Sequence, residues 1–236
     1  MSAPALKVPS WDETLAEAGA RRDLLAPEDH AVFDRDGYII LRSALPFEWL
    51  DPLRGVFERS IPEKWAFPRE QGTRFSKIVD DPLVRRACLL PVVLSAVAGM
   101  MKRRFYFCDI QGRDPELGGG AQNLHRDWLV MGAPTSIISG FAFLDDFDAE
   151  NGATRIQPGT HRDALAHGDI VVSGHAGDIL LLDAHVLHCG TRNLSGRKRR
   201  SLHMSFRGHE LFGQEYNKWN LIATTSLQRR LMGSEE

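Results

Sequence analysis

Residues 179–190 read ILLLDAHVLHCG: four apolar residues run into an aspartate, two histidines and a Cys-Gly pair. Ile179–Leu182 has no polar break, the pattern of a strand buried on both faces. Turn residues flank it, Ala176-Gly177-Asp178 ahead and Cys189-Gly190-Thr191 behind. Outward from this strand, short β-type runs recur at Phe105–Ile110, Ser136–Leu144, Ala153–Ile156, Ile170–Val172 and Arg199–Phe206. Between them lie a turn-rich loop from Gly112 to Gly120, the acidic turn DDFDAENG (145–152) and the turn Pro158-Gly159-Thr160-His161.

Upstream the texture is helical. Pro27-Glu28-Asp29 opens a helix that Gly37 closes, and Tyr38–Leu41 follows as a buried strand. A second helix is expected from Pro46 to about Ser60, with Phe47, Leu50, Leu53 and Phe57 on its buried face. Residues 61–77 read as a long loop and a candidate lid. Asp81-Pro82 caps the next helix, Pro91 either breaks it or begins another that ends near Gly99, and Lys102-Arg103-Arg104 reads as a solvated helix end. Residues 1–25 are polar and expected to be loosely ordered; 210–232 is a mixed tail with helical character. Helices first and short strands after them imply a mainly β fold in a closed or double-sheet antiparallel arrangement, with the N-terminal helices packed on one sheet. The 236 residues read as a single domain with its core at about 27–206.

Hydrophobic residues are 43% and charged residues 25%, enough apolar material for a large core, and the net charge of −2 gives no basic excess to recommend a nucleic acid. Cys88, Cys108 and Cys189 have no CxxC spacing, so a reduced, cytoplasmic protein is expected. The start MSAPALKVPSWDETL lacks an apolar signal core. The longest apolar stretch, Cys88–Met101, holds Pro91, Ser95 and Gly99 and is too short to span a bilayer.

The chemistry concentrates in two places. In Asn123-Leu124-His125-Arg126-Asp127-Trp128, His125 and Asp127 are two apart, so on extended chain their side chains leave the same side and can grip one metal. A third ligand would come from His185 or His188. His188, where the buried strand gives way to a turn, is preferred, and His185 reads as a packed histidine. Two histidines and one carboxylate on one face of a metal leave open positions, the donor set of non-haem Fe(II) oxygenases. Arg199 stands eleven residues past His188 and shares a strand face with Ser201, His203 and Ser205. A guanidinium at the head of a polar face suits a dicarboxylate. Arg197, Lys198 and Arg200 read as a solvated basic turn.

The blocks LHRDW, FAFLDDFDAENGATRIQPGTHR, AGDILLLDAHVLHCG and RNLSGRKRRSLHMSF, with the opening PEDHAVFDRDGYIILRSAL, resemble the phytanoyl-CoA dioxygenase-like (PhyH) family over roughly Pro27–Phe206. That resemblance implies a double-stranded β-helix (jelly-roll, cupin-like) core and an Fe(II)- and 2-oxoglutarate-dependent dioxygenase using O2. It makes His125, Asp127 and His188 the iron ligands and Arg199 the partner of the distal carboxylate of 2-oxoglutarate, with Ser201 beside it. Phe141 stands near a position where the family often has Trp, and Gln111 and Thr135 are further candidates for the cosubstrate. The carboxylate of Asp127 implies hydroxylation or another oxidative step rather than halogenation, with hydroxylation of a small-molecule or lipid-like substrate and release of succinate and CO2 as the leading expectation. Trp128, Met131 and Arg126 are candidates to line the substrate pocket, and Arg103, Arg104 and Arg126 could draw an anionic group. The alternative is a metal- and 2-oxoglutarate-binding sensor without turnover.

Overall fold

A computed structural model describes residues 10–60, 62–63, 72–128, 134–163, 166 and 168–211; the chain is largely helical ahead of residue 105 and β-stranded after it. The helices are α1 (Trp11–Glu17), α2 (Pro27–Asp36), α3 (Leu50–Arg59), α4 (Pro82–Cys88) and α5 (Pro91–Met101). The strands are β1 (Tyr38–Leu41), β2 (Pro62–Glu63), β3 (Thr73–Ser76), β4 (Phe105–Pro115), β5 (Ile137–Phe143), β6 (Thr154–Gln157), β7 (Ile170–Val171), β8 (Ile179–Asp183), β9 (Leu187–Gly190) and β10 (Ser201–Gly208). They form a seven-stranded sheet in the order β1-β8-β5-β10-β4-β3-β2 and a three-stranded sheet in the order β7-β6-β9. Neighbours pair antiparallel throughout.

Side-chain alternation gives the large sheet two different faces. From β10, Leu202, Met204 and Phe206 join Ile138, Ala142, Ile179 and Leu181 in a core closed by Leu53 and Phe57 of α3 and by Val93, Leu94 and Val97 of α5. Each such side chain, once fully buried, contributes about 1.5–3 kcal/mol. On the opposite face Phe141, Phe143, Leu180 and Leu182 pack against Ile156 and Val172 of the small-sheet side. Two sheets facing across an apolar layer, with helices behind the larger, are the expected jelly roll. The central strand is as read: Ile179–Asp183 is buried along its whole length.

Several details differ from the sequence reading. Residues 10–25 are not loose: Ser10 and Glu13 form a reciprocal capping box on α1, Leu15 and Leu25 are buried, and Trp11 meets Phe105 edge to face. The helix expected from Pro46 begins with a 3-10 turn, Phe47–Trp49, which breaks the 3.6-residue phase and leaves Phe47 85% exposed instead of in the core. The loop expected at 61–77 contains β2 and β3, and 64–71, the centre of the proposed lid, falls outside the described residues. β4 runs on through Gly112, which is no turn: a Cβ there would meet the Phe57 ring at 2.6 Å, so the glycine lets the strand approach α3. The tail expected to be helical enters a 3-10 turn at His209–Leu211, and 212–236 is outside the described residues. Among the described residues no single helix is long and apolar enough to cross a membrane.

Gly37 ties the helical layer to the central strand. It ends α2 at φ +80°, its N–H donates to Phe33 O, and its carbonyl accepts from Asp183 N at 2.8 Å. An added Cβ would collide with Val186 and stand 2.6 Å from His161 Nδ1. Gly37→Ala therefore combines left-handed strain with a clash and is expected to lower the unfolding free energy by about 2 kcal/mol or more. Urea denaturation checks this; an unchanged midpoint would contradict the packing described.

Candidate metal centre

His125 and His188 are cross-strand neighbours. His125 N–H donates to His188 O at 3.0 Å and His188 N–H to His125 O at 2.9 Å, a reciprocal pair that sets the two rings side by side. Their centroids are 4.6 Å apart. His188 does not begin a turn as expected. The chain turns earlier, where Val186 N–H bonds to Asp183 O, and His188 lies on β9 opposite Ile156 of β6. That early turn resets the alternation, so His185 and His188 do not sit on one continuous strand.

Each ring has one nitrogen held. Nδ1 of His125 bonds to Asn123 O at 2.8 Å and Nδ1 of His188 to Val186 O at 3.0 Å, which leaves each Nε2 as the lone-pair nitrogen. Both Nε2 atoms converge on Asp127: 3.5 Å from His125 Nε2 to Oδ1 and 3.7 Å from His188 Nε2 to Oδ2. One ligand atom from each residue lies within 4.8 Å of the others. The side chains are 6% exposed at His188, 24% at His125 and 36% at Asp127, so the cluster is closed on the β9 side and open beside the carboxylate. Ser139 Oγ on β5 donates to Asp127 Oδ2 at 3.2 Å.

The electrostatics favour a carboxylate at Asp127 and a neutral imidazole at His188. Burial works against ionisation of Asp127, but the hydrogen bond with His125 and the nearby His188 and His203 outweigh it and hold the carboxyl well below its ordinary range. Burial pushes His188 below its usual pKa, against the pull of Asp127. Burial, then the charge of Arg113, push His203 well below.

The inner face of the large sheet faces this cluster. Arg199 precedes β10 by two residues instead of beginning it. It is buried, with its guanidinium carbon 4.5 Å over the Phe147 ring and its backbone N–H on Asp114. Ser201 is also buried, and its Oγ has no hydrogen-bond partner among the described residues. Gln111 on β4 and Phe141 on β5 are buried on either side of His203. The chain therefore brings His125, Asp127 and His188 together, sets Gln111 and Phe141 opposite His203 with Ser201 two residues away, and buries Arg199 against Phe147.

Five candidates sit elsewhere. Thr135 donates to Asp183 Oδ2 at 2.6 Å, in a buried group where Asp183 Oδ1 also bonds His185 Nδ1 at 2.7 Å. Arg126 spends its Nε on His185 O at 2.8 Å and its Nη2 on Thr160 O at 3.1 Å, so it is bolted to backbone on the side away from the ligands. Trp128 packs against Ile137, Ala184 and Leu211. Arg103 pairs with Glu210, and Arg104 lies over Trp11 of α1. Met131 lies outside the described residues. Sequence reasoning missed Ser139 and His203. The phase of β10 already placed His203 on the face of Arg199 and Ser201, and Ser139 shares the phase of Phe141.

A jelly roll carrying a two-histidine, one-carboxylate cluster has the donor set of the non-haem iron oxygenases. The chain belongs to the phytanoyl-CoA dioxygenase (PhyH) family, whose model matches residues 33–201. Among its relatives, the multifunctional dioxygenase ausE of Aspergillus calidoustus is 26% identical, over 79% of this chain and 75% of its own. The multifunctional dioxygenase prhA of Penicillium brasilianum is 31% identical, over 74% of this chain and 69% of its own. The crystal structure of HygX from Streptomyces hygroscopicus, with nickel, 2-oxoglutarate and hygromycin B bound, is similar with a TM-score of 0.68. It is 18% identical, over 87% of this chain and 94% of that one, a likeness of fold.

Because Arg126 lies between two candidate ligands and holds two backbone carbonyls, Arg126→Ala is expected to destabilise the protein by about 2 kcal/mol. Chemical denaturation reads this, and a loss below about 0.5 kcal/mol would mean that the two bonds are not formed in solution.

Proposed function

We propose that this protein is an Fe(II)- and 2-oxoglutarate-dependent oxygenase that hydroxylates a small organic molecule, the whole chain acting as one cytoplasmic domain. The observation that carries the proposal is the convergence of two locked imidazoles and one carboxylate within 4.8 Å, beside a buried polar face headed by Arg199. The residues fit the group. The two Nε2 atoms and one Asp127 oxygen are suitable donors, and the open side at Asp127 leaves positions for other ligands. Ser201 Oγ, buried without a partner beside Arg199, fits a carboxylate acceptor. All three cysteines are free and buried, in keeping with a reduced compartment.

Iron with 2-oxoglutarate and O2 would supply the oxidising power, the oxo acid being converted to succinate and CO2 as one oxygen atom is inserted into a substrate C–H bond. The protein's residues bind and orient. Nδ1 bonds to Asn123 O and Val186 O fix the two histidine tautomers. Ser139 holds the Asp127 carboxylate in place. Arg199 and Ser201 hold the distal carboxylate of the cosubstrate, with Phe147 beneath the guanidinium, and Gln111 and Phe141 flank it. HygX is crystallised with hygromycin B, which supports a small molecule as substrate here as well.

Purified protein given Fe(II), 2-oxoglutarate and O2 is expected to release succinate, and His125→Ala, Asp127→Ala and His188→Ala to lose it. Arg199→Ala is expected to weaken 2-oxoglutarate about tenfold or more, the loss of one charged hydrogen-bonding partner. An iron-loaded protein that binds no 2-oxoglutarate, or an Arg199→Ala variant with unchanged affinity, would sink the assignment.

A further inference from the structure

His203 is the polar side chain on the inner face that the iron and cosubstrate assignments leave without a role. In the middle of β10 it stands opposite Gln111 of β4 on one side and Phe141 of β5 on the other. Its ring packs on Phe141, with centroids 4.7 Å apart and planes inclined by 35°. The imidazole is half-buried and makes no hydrogen bond among the described residues. A polar ring so placed keeps hydrogen-bonding capacity that a bound ligand can use. His203 is not a fourth ligand: the set whose ligand atoms lie within 4.8 Å contains His125, Asp127 and His188 alone among the described residues. It is nonetheless near enough to Asp127 and His188 for their charges to act on it. His203 therefore lies near the candidate ligands without joining their set.

β10 carries Ser201 two residues ahead of His203, and Arg199 lies two residues further up the chain, just before the strand. A strand advances about 3.3 Å per residue, so His203 is about 13 Å from Arg199 along the chain. An extended oxo diacid together with the reach of an arginine side chain fills that distance. With its distal carboxylate at Arg199 and Ser201, the keto-acid end of the molecule comes to the level of His203.

We propose that His203 binds the metal end of 2-oxoglutarate, its ring N–H donating a hydrogen bond to the carboxylate beside the keto group. The inference rests on the reading of the chain as a 2-oxoglutarate oxygenase. It makes β10 and the residues leading into it a ladder of three contacts, Arg199 and Ser201 at the distal carboxylate and His203 at the proximal one.

The test is anaerobic titration of Fe(II)-loaded protein, following the metal-to-keto-acid absorbance band, with two probes: 2-oxoglutarate, and pyruvate, which has a keto-acid end and no distal carboxylate. His203→Phe keeps the ring packing on Phe141 and removes the donor; His203→Leu repeats the test with an aliphatic side chain, and His203→Gln restores a donor. Expected are unchanged Co(II) affinity in all three variants and a shifted band with about tenfold weaker binding of both probes in His203→Phe and His203→Leu. His203→Gln is expected to recover most of the affinity. Equal affinity and band position in wild type and His203→Phe would overturn the proposal. So would weakening confined to 2-oxoglutarate, which would put His203 at the distal end, or loss of Co(II) binding, which would make it part of the metal cluster. Absence of the band in the wild-type protein would instead remove the oxygenase reading itself.

Discussion

His125 and His188 exchange both of their backbone hydrogen bonds, at 3.0 and 2.9 Å, although one lies in an irregular segment and the other on β9. This short antiparallel contact decides which way both rings point, and with it where Asp127 must come. An extended chain turns alternate residues to opposite sides, so once His125 faces inward Asp127 faces inward too, and Arg126 faces out to His185 O and Thr160 O. The metal-binding geometry is thus a property of backbone pairing. Few side-chain contacts are needed to hold it, and those present fix tautomers and the orientation of the carboxylate.

The large sheet allows this arrangement because its faces do different work. The helix side is apolar from Ile39 through Ile179, Ile138 and Met204 to Ile110. The inner side begins apolar at Leu180 and Phe141 and becomes polar at Ser201, His203 and Gln111, toward β4. The stability comes from the first face and from the layer around Phe143, Phe147 and Ile156. The polar strip carries groups with hydrogen-bonding capacity that the described residues do not use, notably Ser201 Oγ and the His203 ring. A fold that tolerates such groups has surplus packing elsewhere, and a ligand is what uses them.

Much of this was legible in the sequence because the signals were local. The run Ile179–Leu182 could only be a buried strand, and the H-x-D spacing set His125 and Asp127 on one side. What failed were features set by contacts distant in the chain. Gly112 resembles a turn until Phe57 is seen against it. The strand character of Thr73–Ser76 depends on pairing with the far half of β4. Phe47 has the right spacing for a helix face, but a 3-10 turn shifts it into solvent. Thr135 and Arg126 lie beside the site in sequence, yet their bonds to Asp183 and to the His185 and Thr160 carbonyls turn them away from it. Sequence proximity to a motif was the weak argument; strand phase was the strong one.

The account stands or falls on where the metal and the oxo acid lie. A crystal structure of the protein prepared anaerobically with Fe(II) and 2-oxoglutarate tests it most directly. The account predicts iron bonded to Nε2 of His125, Nε2 of His188 and one oxygen of Asp127, the distal carboxylate on Arg199 and Ser201, and the proximal carboxylate within hydrogen-bond distance of His203. Iron bound by a different set of side chains, or an oxo acid lying away from β10, would contradict it.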